Sequence, residues 1–372
     1  MKKTKVLIDG AAFENNSQIG IWRLFFEVMS RTASEVDYTL LLSSEPLQPL
    51  PRNVRVMSWS KRYDPESRRR HYRRALDWPL VRRIERDYRD AIWHSTFFTA
   101  DPRRNCLSVV TVFDMIAETG YAIGPYLAQR NLKIAAIANA NAILAISNTT
   151  AQQFKRFFPG SSLKTQVIRL GHEHLTVVPS ATVSAVTESK NYCLFVGGRY
   201  AYKNFCGMVE AVGMSEWPSH LHLVVVGAPF DDAEKAWINA VGVSEKIEHV
   251  GKVSDEQLAM LYQRSDGFVF PSLMEGFGIP ILEAQAGGTV PLLSDIPVFH
   301  EVGGSGALYF DPHSPPSIAA TVSRLLDPAV RNSLLQHAAA NLQRFSWDDA
   351  AKLTLKCYRS LFSRDLRPVN HS

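Results

Sequence analysis

Cysteine is scarce in this sequence: Cys106, Cys193, Cys206 and Cys357 are all that 372 positions hold. None forms a C-x-x-C pair and no His/Cys group has zinc spacing, so the fold is not expected to rest on a metal. Four reduced thiols in a cytosolic protein are expected. A chain of this length buries large cores without staples. Long apolar runs are missing too. None reaches the ~18 residues that would cross a bilayer as a helix. The opening MKKTKVLIDG places basic residues before an apolar run that stops at Asp9, and it reads as a first strand with no export signal. Neither G-x-G-x-x-G nor G-x-x-x-x-G-K-[ST] occurs, which removes the nicotinamide dinucleotide fingerprint and the P-loop. With 46% hydrophobic and 21% charged residues, the composition is that of a globular chain and rules out a disordered one. Two domains are the default at this length.

Charge is unevenly spread. Residues 1–175 hold 26 Lys and Arg against 16 Asp and Glu, a net +10, while the remainder is net −5. Such a split suggests two domains that meet different partners. Much of the excess lies in residues 61–89, where 11 of 29 residues are Lys or Arg. Trp78, Val81, Ile84 and Tyr88 recur there at helical spacing, which predicts an amphipathic helix. A solvated, salt-bridged face is one reading. An anionic membrane surface or a phosphate-bearing acceptor is the other. Nucleic acid is not expected, because no zinc finger, RNA-binding aromatic signature or helix-turn-helix accompanies the charge.

Short apolar runs alternate with helical patterns. Strands are predicted at Lys5–Ile8, Tyr38–Leu42, Val54–Met57, Ala91–Trp93, Val109–Phe113, Ala142–Ile146 and Gln166–Arg169. Residues 20–33 and 127–141 read as helices, and Ser147 reads as the N-cap of another. Residues 176–190, rich in Ser, Thr and Val, form the linker candidate. The pattern then restarts with strands at Tyr192–Val196, Leu221–Val226, Ile247–Val250, Gly267–Phe270 and Val290–Leu293. A closing helix is predicted over Phe345–Phe362, capped by Ser346. Continuous apolar strands between helices imply parallel sheets covered on both faces. Each half is thus a doubly wound α/β domain, whose ligands bind outside the carboxyl ends of the strands.

The chemistry concentrates in Val269–Leu292. A strand ends at Pro271, a loop carries Gly276 and Gly278, and a helix begins near Pro280. The amides of Phe277, Gly278 and Ile279 fall at its N-terminus, a ready anion site, and glycine lets a ligand approach the backbone. Glu275 precedes the loop and Glu283 lies one turn into the helix. Carboxylates beside a diphosphate need compensating cations, and Arg199 and Lys203 follow the Gly197-Gly198 turn at another strand end. Arg suits bidentate phosphate contact and Lys a point charge.

These segments carry a resemblance. Glu275 and Glu283 match the E-x7-E motif of the retaining, nucleotide-sugar-dependent glycosyltransferases of glycosyltransferase family 4, which includes bacterial mannosyltransferases and sucrose synthase. The runs 275–304, 196–204 and 249–272 follow the family pattern almost throughout. The first half matches more loosely, at 94–99, 112–116 and 146–154. The resemblance implies an α/β protein of the GT-B fold: two facing Rossmann-like domains with parallel sheets and a C-terminal crossover helix. Residues 1–175 would form the acceptor-binding domain, 191–345 the nucleotide-sugar domain, and 346–372 a helix packing back on the first. It further implies that Arg199 and Lys203 neutralise the leaving diphosphate and that Glu283 holds the ribose hydroxyls. Glu275 would contact the sugar, and Gly198, Gly276, Phe277, Gly278 and Ile279 would line the donor. Gly20, in the first loop, would let the diphosphate approach. No cofactor and no metal are expected. The implied partners are a nucleotide sugar, with GDP-mannose or a related GDP-sugar favoured, and a glycan or lipid-diphosphate-linked acceptor. That reading points to lipopolysaccharide or other surface polysaccharide biosynthesis by a cytoplasmic enzyme, peripheral at the inner face of the plasma membrane.

One position departs from the family. Phe113-Asp114 stands where relatives commonly carry His-Asp, and that histidine approaches the sugar near C6. Phenylalanine packs against a methyl but leaves a hydroxyl unpaired. Either the donor is a 6-deoxyhexose, or the C6 group points elsewhere and Asp114 takes over the polar contact. His94 is open between a satisfied strand-end histidine and an acceptor-side role. His172 and His174 have weak metal spacing and read as ordinary histidines. Two other functions stay open: a non-catalytic nucleotide-sugar-binding relative, and a GT-B nucleotide-sugar isomerase.

Overall fold

In a computed structural model of the chain, residues 3–15, 19–58, 78–99, 101, 103, 106–120, 125–173 and 191–362 are described. The linker reading at 176–190, His174 and the stretch 61–77 lie outside the described residues. The chain divides into two compact units, Met1–Leu170 with Trp347–Ser372, and Gly171–Ser346.

In the first unit the order is β1 (Thr4–Ile8), α1 (Ile19–Thr32), β2 (Val36–Leu42), β3 (Arg55–Ser58), α2 (Trp78–Asp87), β4 (Ile92–Ser95), β5 (Ser108–Val112), α3 (Pro125–Ala138), β6 (Ala142–Ala145), α4 (Asn148–Phe157) and β7 (Thr165–Val167). The strands pair in parallel in the order β3-β2-β1-β4-β5-β6-β7. Leu7, Ile8, Leu40, Leu41, Val109 and Leu144 are fully buried, as expected of strands covered on both faces. Ser147 caps α4: its hydroxyl accepts from the Thr150 amide at 2.9 Å, satisfying one orphan donor of the first turn.

In the second unit the order is β8 (Tyr192–Val196), α5 (Phe205–Val212), β9 (His222–Val226), α6 (Asp232–Val241), β10 (Ile247–Gly251), α7 (Asp255–Arg264), β11 (Gly267–Phe270), α8 (Ile279–Ala286), β12 (Pro291–Ser294), α9 (Pro297–Gly303), β13 (Leu308–Phe310), α10 (Pro315–Leu325) and α11 (Pro328–Leu342). Its parallel sheet runs β10-β9-β8-β11-β12-β13. Phe195, Val209, Leu223, Val269, Leu292 and Val322 belong to one core between sheet and helices. Five strands were expected here, and the structure adds β13. An edge strand of three residues is too short to declare itself by alternation.

Both sheets reverse direction beside their first strand. β1 lies between β2 and β4, and β8 lies between β9 and β11. Loops leaving the carboxyl ends of such a pair diverge and open a crevice, the usual ligand position in doubly wound sheets.

The last helix, α12 (Trp347–Phe362), belongs to the first unit. Trp347, Tyr358 and Leu361 are buried. Asp348 pairs with Arg31 of α1 at 2.7 Å, Arg359 pairs with Glu35, and the Gln166 amide donates to the Leu353 carbonyl at 2.9 Å.

The amphipathic reading of 78–88 is partly visible in α2. Ile84 and Tyr88 are buried against Leu7, Leu41 and Trp93, while Arg82, Arg83 and Arg86 are exposed. Asp87 lies 3.7 Å from Arg83 and 2.7 Å from Arg86, so two of these cations are salt-bridged on the helix itself.

Candidate functional site

The residues that the sequence singled out in the second unit leave two adjacent strands. After β8 comes the turn Gly197-Gly198 and a single 3-10 turn, Ala201–Lys203. After β11 comes the segment Pro271–Gly278. The two loops are tied together: the Leu273 amide donates to the Tyr202 carbonyl at 2.7 Å. Across the same gap the Lys203 ammonium meets Glu275 Oε1 at 2.5 Å. This pair spans the reversal point of the sheet. Both side chains are mostly covered, 17% and 11% exposed, and the Lys203 Nζ lies 5.0 Å from the centre of the Phe270 ring. An ammonium has three donors, and Glu275 takes one of them.

Beside the pair stands the N-terminus of α8. Gly278 is its N-cap in a left-handed conformation, φ +100°, and no side chain caps the helix. A Cβ at Gly278 would stand 2.9 Å from Ile281 Cδ1 and 3.3 Å from the rings of Phe270 and Phe299. Glycine is therefore needed for the backbone angle and for the space. Pro280 lacks an N–H, so the uncapped amides of Gly278 and Ile279 remain as the anion-facing donors. Phe277 contributes only backbone, because its ring is buried edge-on against Phe345, with centroids 5.8 Å apart. Gly276 lies between Glu275 and this turn.

Glu283 is on α8 and 8% exposed. Its Oε2 accepts from the Tyr262 hydroxyl at 3.1 Å. Tyr262 is fully buried, and burial first, then the Glu283 charge, pushes its hydroxyl well above the usual phenol value. It therefore stays a donor and fixes the carboxylate.

Arg199 is not placed as the sequence suggested. Its Nε and one terminal nitrogen hold Glu234 at 2.5 and 2.8 Å, and its terminal nitrogens donate to the carbonyls of Ala228 and Pro229 at 2.9 and 2.8 Å. The side chain is 6% exposed, with its guanidinium 5.0 Å from the Phe230 ring and 5.5 Å from that of Phe205. Lys203 and Arg199 thus face different carboxylates. The cause is local. Asp231 and Glu234 form a capping box at the start of α6, which aims Glu234 at the β8 loop, where a bidentate pair forms. The sequence did carry a signal for this partner in its D-x-x-E spacing. Gly198 has a packing reason as well, since a Cβ there would stand 2.9 Å from the Tyr200 ring.

In the first unit Asp114 follows β5. Its Oδ1 accepts from the Ile116 amide at 2.9 Å, and its side chain is 38% exposed. Phe113 is buried, 8% exposed. Gly20 is the second residue of α1, exposed, and not in a loop as expected. The helix simply starts one residue earlier, which puts the Gly20 amide in the donor-rich first turn.

Of the two readings of His94, the geometry is that of a satisfied strand-end histidine. The residue is 2% exposed. Its Nδ1 lies 2.6 Å from the Tyr358 hydroxyl and its Nε2 2.8 Å from Thr111 Oγ1. Both ring nitrogens are engaged, and the imidazole fastens α12 to β4 and β5. Burial pulls its pKa down to about 3, against a smaller opposing pull from Asp9. Among the described residues, which include His172 but not His174, no group of three or more His, Cys, Asp or Glu could hold a metal.

Comparison with known proteins fits this geometry. Residues 181–341 match the family described as glycosyl transferases group 1. The match spans about 160 residues of the second unit. Lys203, Glu275, Gly278 and Glu283 all lie inside it. The chain is similar to the O-antigen chain mannosyltransferase B of Escherichia coli, 27% identical over 74% of this chain and 76% of the relative. It is similar to the O-antigen chain mannosyltransferase RfbU of Salmonella typhimurium, 30% identical over 49% of this chain and 50% of that one; the aligned part is about half of RfbU. The fold is shared with a sucrose-phosphate synthase from Thermosynechococcus elongatus at TM-score 0.78 and 18% identity, over 97% of this chain and all of the other. WaaG, a glycosyltransferase involved in lipopolysaccharide biosynthesis, aligns at TM-score 0.68 and 15% identity, over 97% of this chain and 98% of WaaG. The two parallel-sheet, Rossmann-like units thus have the GT-B fold that these structures share. As far as the described helices show, none is long and apolar enough to cross a membrane.

Proposed function

We propose that this chain is a retaining hexosyltransferase. It moves a hexose or 6-deoxyhexose from a GDP-linked donor, GDP-mannose first, to a lipid-linked or polysaccharide acceptor in surface glycan synthesis. The observation that carries the reading is the Lys203–Glu275 pair beside the uncapped N-terminus of α8. The leaving diphosphate gathers negative charge as the glycosidic bond breaks. An ammonium and a helix N-terminus already in place stabilise that charge without reorganisation, usually the largest catalytic term. In this reading they make a divalent metal unnecessary. Glu275 holds a sugar hydroxyl and keeps Lys203 oriented. Glu283, held by Tyr262, takes the ribose hydroxyls. Asp114 gives a polar contact to the transferred sugar. The acceptor attacks from the face that the diphosphate leaves, and the departing phosphate accepts its proton, so configuration is retained. The names of the two O-antigen relatives support mannose, and the apolar Phe113 supports a donor with a methyl at C6 as the second reading.

The test is a product assay with GDP-mannose and its 6-deoxy analogue, a lipid-diphosphate-linked glycan acceptor, and EDTA in a parallel arm. Transfer with the donor's anomeric configuration kept, unaffected by EDTA, is expected. An inverted product or an EDTA-sensitive rate would overturn the mechanism. Turnover without acceptor would make the chain an isomerase, and donor binding without turnover would make it a non-catalytic relative.

The exposed arginines of α2 support a peripheral, inner-face membrane position. The full chain is expected to float with vesicles rich in phosphatidylglycerol at low salt and to release at about 0.5 M salt, where the screening length is only a few ångströms. A chain that stays unbound at low salt rejects this part of the reading.

A further inference from the structure

The first unit buries a charge that the mechanism so far leaves idle. Lys133 of α3 is 1% exposed. Its ammonium donates to the Asp114 carbonyl at 2.8 Å and to Glu118 Oε2 at 2.8 Å. It stands 5.2 Å from the Phe98 ring and 4.0 Å from Asp114 Oδ1. Glu118, at the end of the 3-10 turn Ile116–Glu118, has a 3% exposed side chain, and its other oxygen, Oε1, is buried with no hydrogen-bond partner among the described residues. Phe98 sits at φ +55°, an uncommon conformation for a bulky side chain.

Stability is a poor explanation of this group. A buried ion pair roughly breaks even against apolar residues of the same volume, and an orphaned carboxylate oxygen makes this one worse than even. A left-handed aromatic residue adds backbone strain, and such strain persists where the surroundings over-determine a functional geometry. The ion pair and the orphaned oxygen lie at the turn that follows Asp114 at the carboxyl end of β5, and the Phe98 ring stands 5.2 Å from the same ammonium. Asp114 itself is more than a third exposed; its Oδ1 accepts from the amide two residues on and lies 4.0 Å from the Lys133 ammonium.

We propose that Lys133 is a positioning residue for Asp114. Its ammonium clamps the Asp114 carbonyl to Glu118, and Phe98 closes over it, so that the Asp114 carboxylate is presented in one place. The inference rests on the reading of Asp114 as a contact to the transferred sugar. It adds a residue remote in sequence that decides whether that contact is made.

Four proteins test it: wild type, Asp114→Asn, Lys133→Met, and the double variant Lys133→Met/Glu118→Leu. Each is assayed for kcat, KM and GDP dissociation constant at a temperature well below its own unfolding midpoint. Lys133→Met strands a buried carboxylate and is expected to lower the midpoint. The double variant removes both charges and is expected to recover most of it. Its kcat is nevertheless expected to stay down roughly 10–100-fold, the scale of a misplacement near 1 Å, with GDP affinity unchanged. Wild-type kcat in the double variant, with Asp114→Asn impaired, overturns the proposal and leaves the Asp114 reading standing. Wild-type kcat in Asp114→Asn overturns both. A loss of GDP affinity in the double variant that matches its loss of kcat also overturns the proposal, since it would report general damage.

Discussion

Lys203→Ala is expected to lower kcat about 10²–10³-fold, which corresponds to roughly 2.7–4 kcal/mol of barrier, the range found on removing one preorganised donor from a developing negative charge. KM for the donor should rise less, because much of that charge develops only as the bond breaks. The pairing with Glu275 complicates the variant. Glu275 is 11% exposed and would be left without its cation, so the unfolding midpoint must be measured alongside the kinetics. Lys203→Arg is the informative control. It keeps the charge but replaces a compact ammonium by a planar fork in a space bounded by Tyr202 and Phe270. It should recover midpoint more than rate. A kcat within threefold of wild type in Lys203→Ala would remove the pair from the mechanism, whatever the midpoint does.

Acid should weaken the first unit through His94. Burial holds the imidazole neutral in the folded chain, with a pKa near 3, against 6.5 for the free side chain. The unfolded state therefore binds the extra proton between these values. Stability from this residue is complete above about pH 6.5 and falls as pH drops, by about 1.4 kcal/mol per unit, or roughly 2 kcal/mol at pH 5. Carboxylates titrate mainly lower, and the difference in slope between wild type and a His94 variant over pH 7 to 5 isolates this histidine from the other ten. Urea titrations across that window on wild type and His94→Gln are the measurement. Gln retains a donor and an acceptor for Tyr358 and Thr111 but takes up no proton, so its slope should be nearly flat. Equal slopes in the two proteins would mean that some other group carries the acid sensitivity.

The sheets were legible because strands buried on both faces must be apolar throughout, and this signal survives in a single sequence. That Lys203, Glu275 and Gly278 lie in loops after strand ends was legible for a related reason, since the strands themselves were. Arg199 shows where such reasoning fails. Its position after β8 was read correctly, but the direction of its guanidinium is set by Glu234, an anion 35 positions later. His94 stayed open for the same reason, since Tyr358 is 264 positions distant. Lys133 had no signal at all, because a lysine on a helix gives no hint that the helix turns it inward. Long-range polar partners decide these cases, and no periodicity encodes them.

The return of α12 to the first unit makes the second unit an insertion within it. Domains fold as units during synthesis, N-terminal first, but here that order cannot hold. Residues 1–170 leave the ribosome without Trp347 or Tyr358, and until these arrive His94 lacks one of its two partners. The nucleotide-sugar half, continuous from 171 to 346, can close while its neighbour is still waiting. A nascent chain of this protein therefore acquires its second unit before it acquires a finished first unit. A truncation between residues 171 and 346 would therefore damage both units, because it also removes α12 from the first.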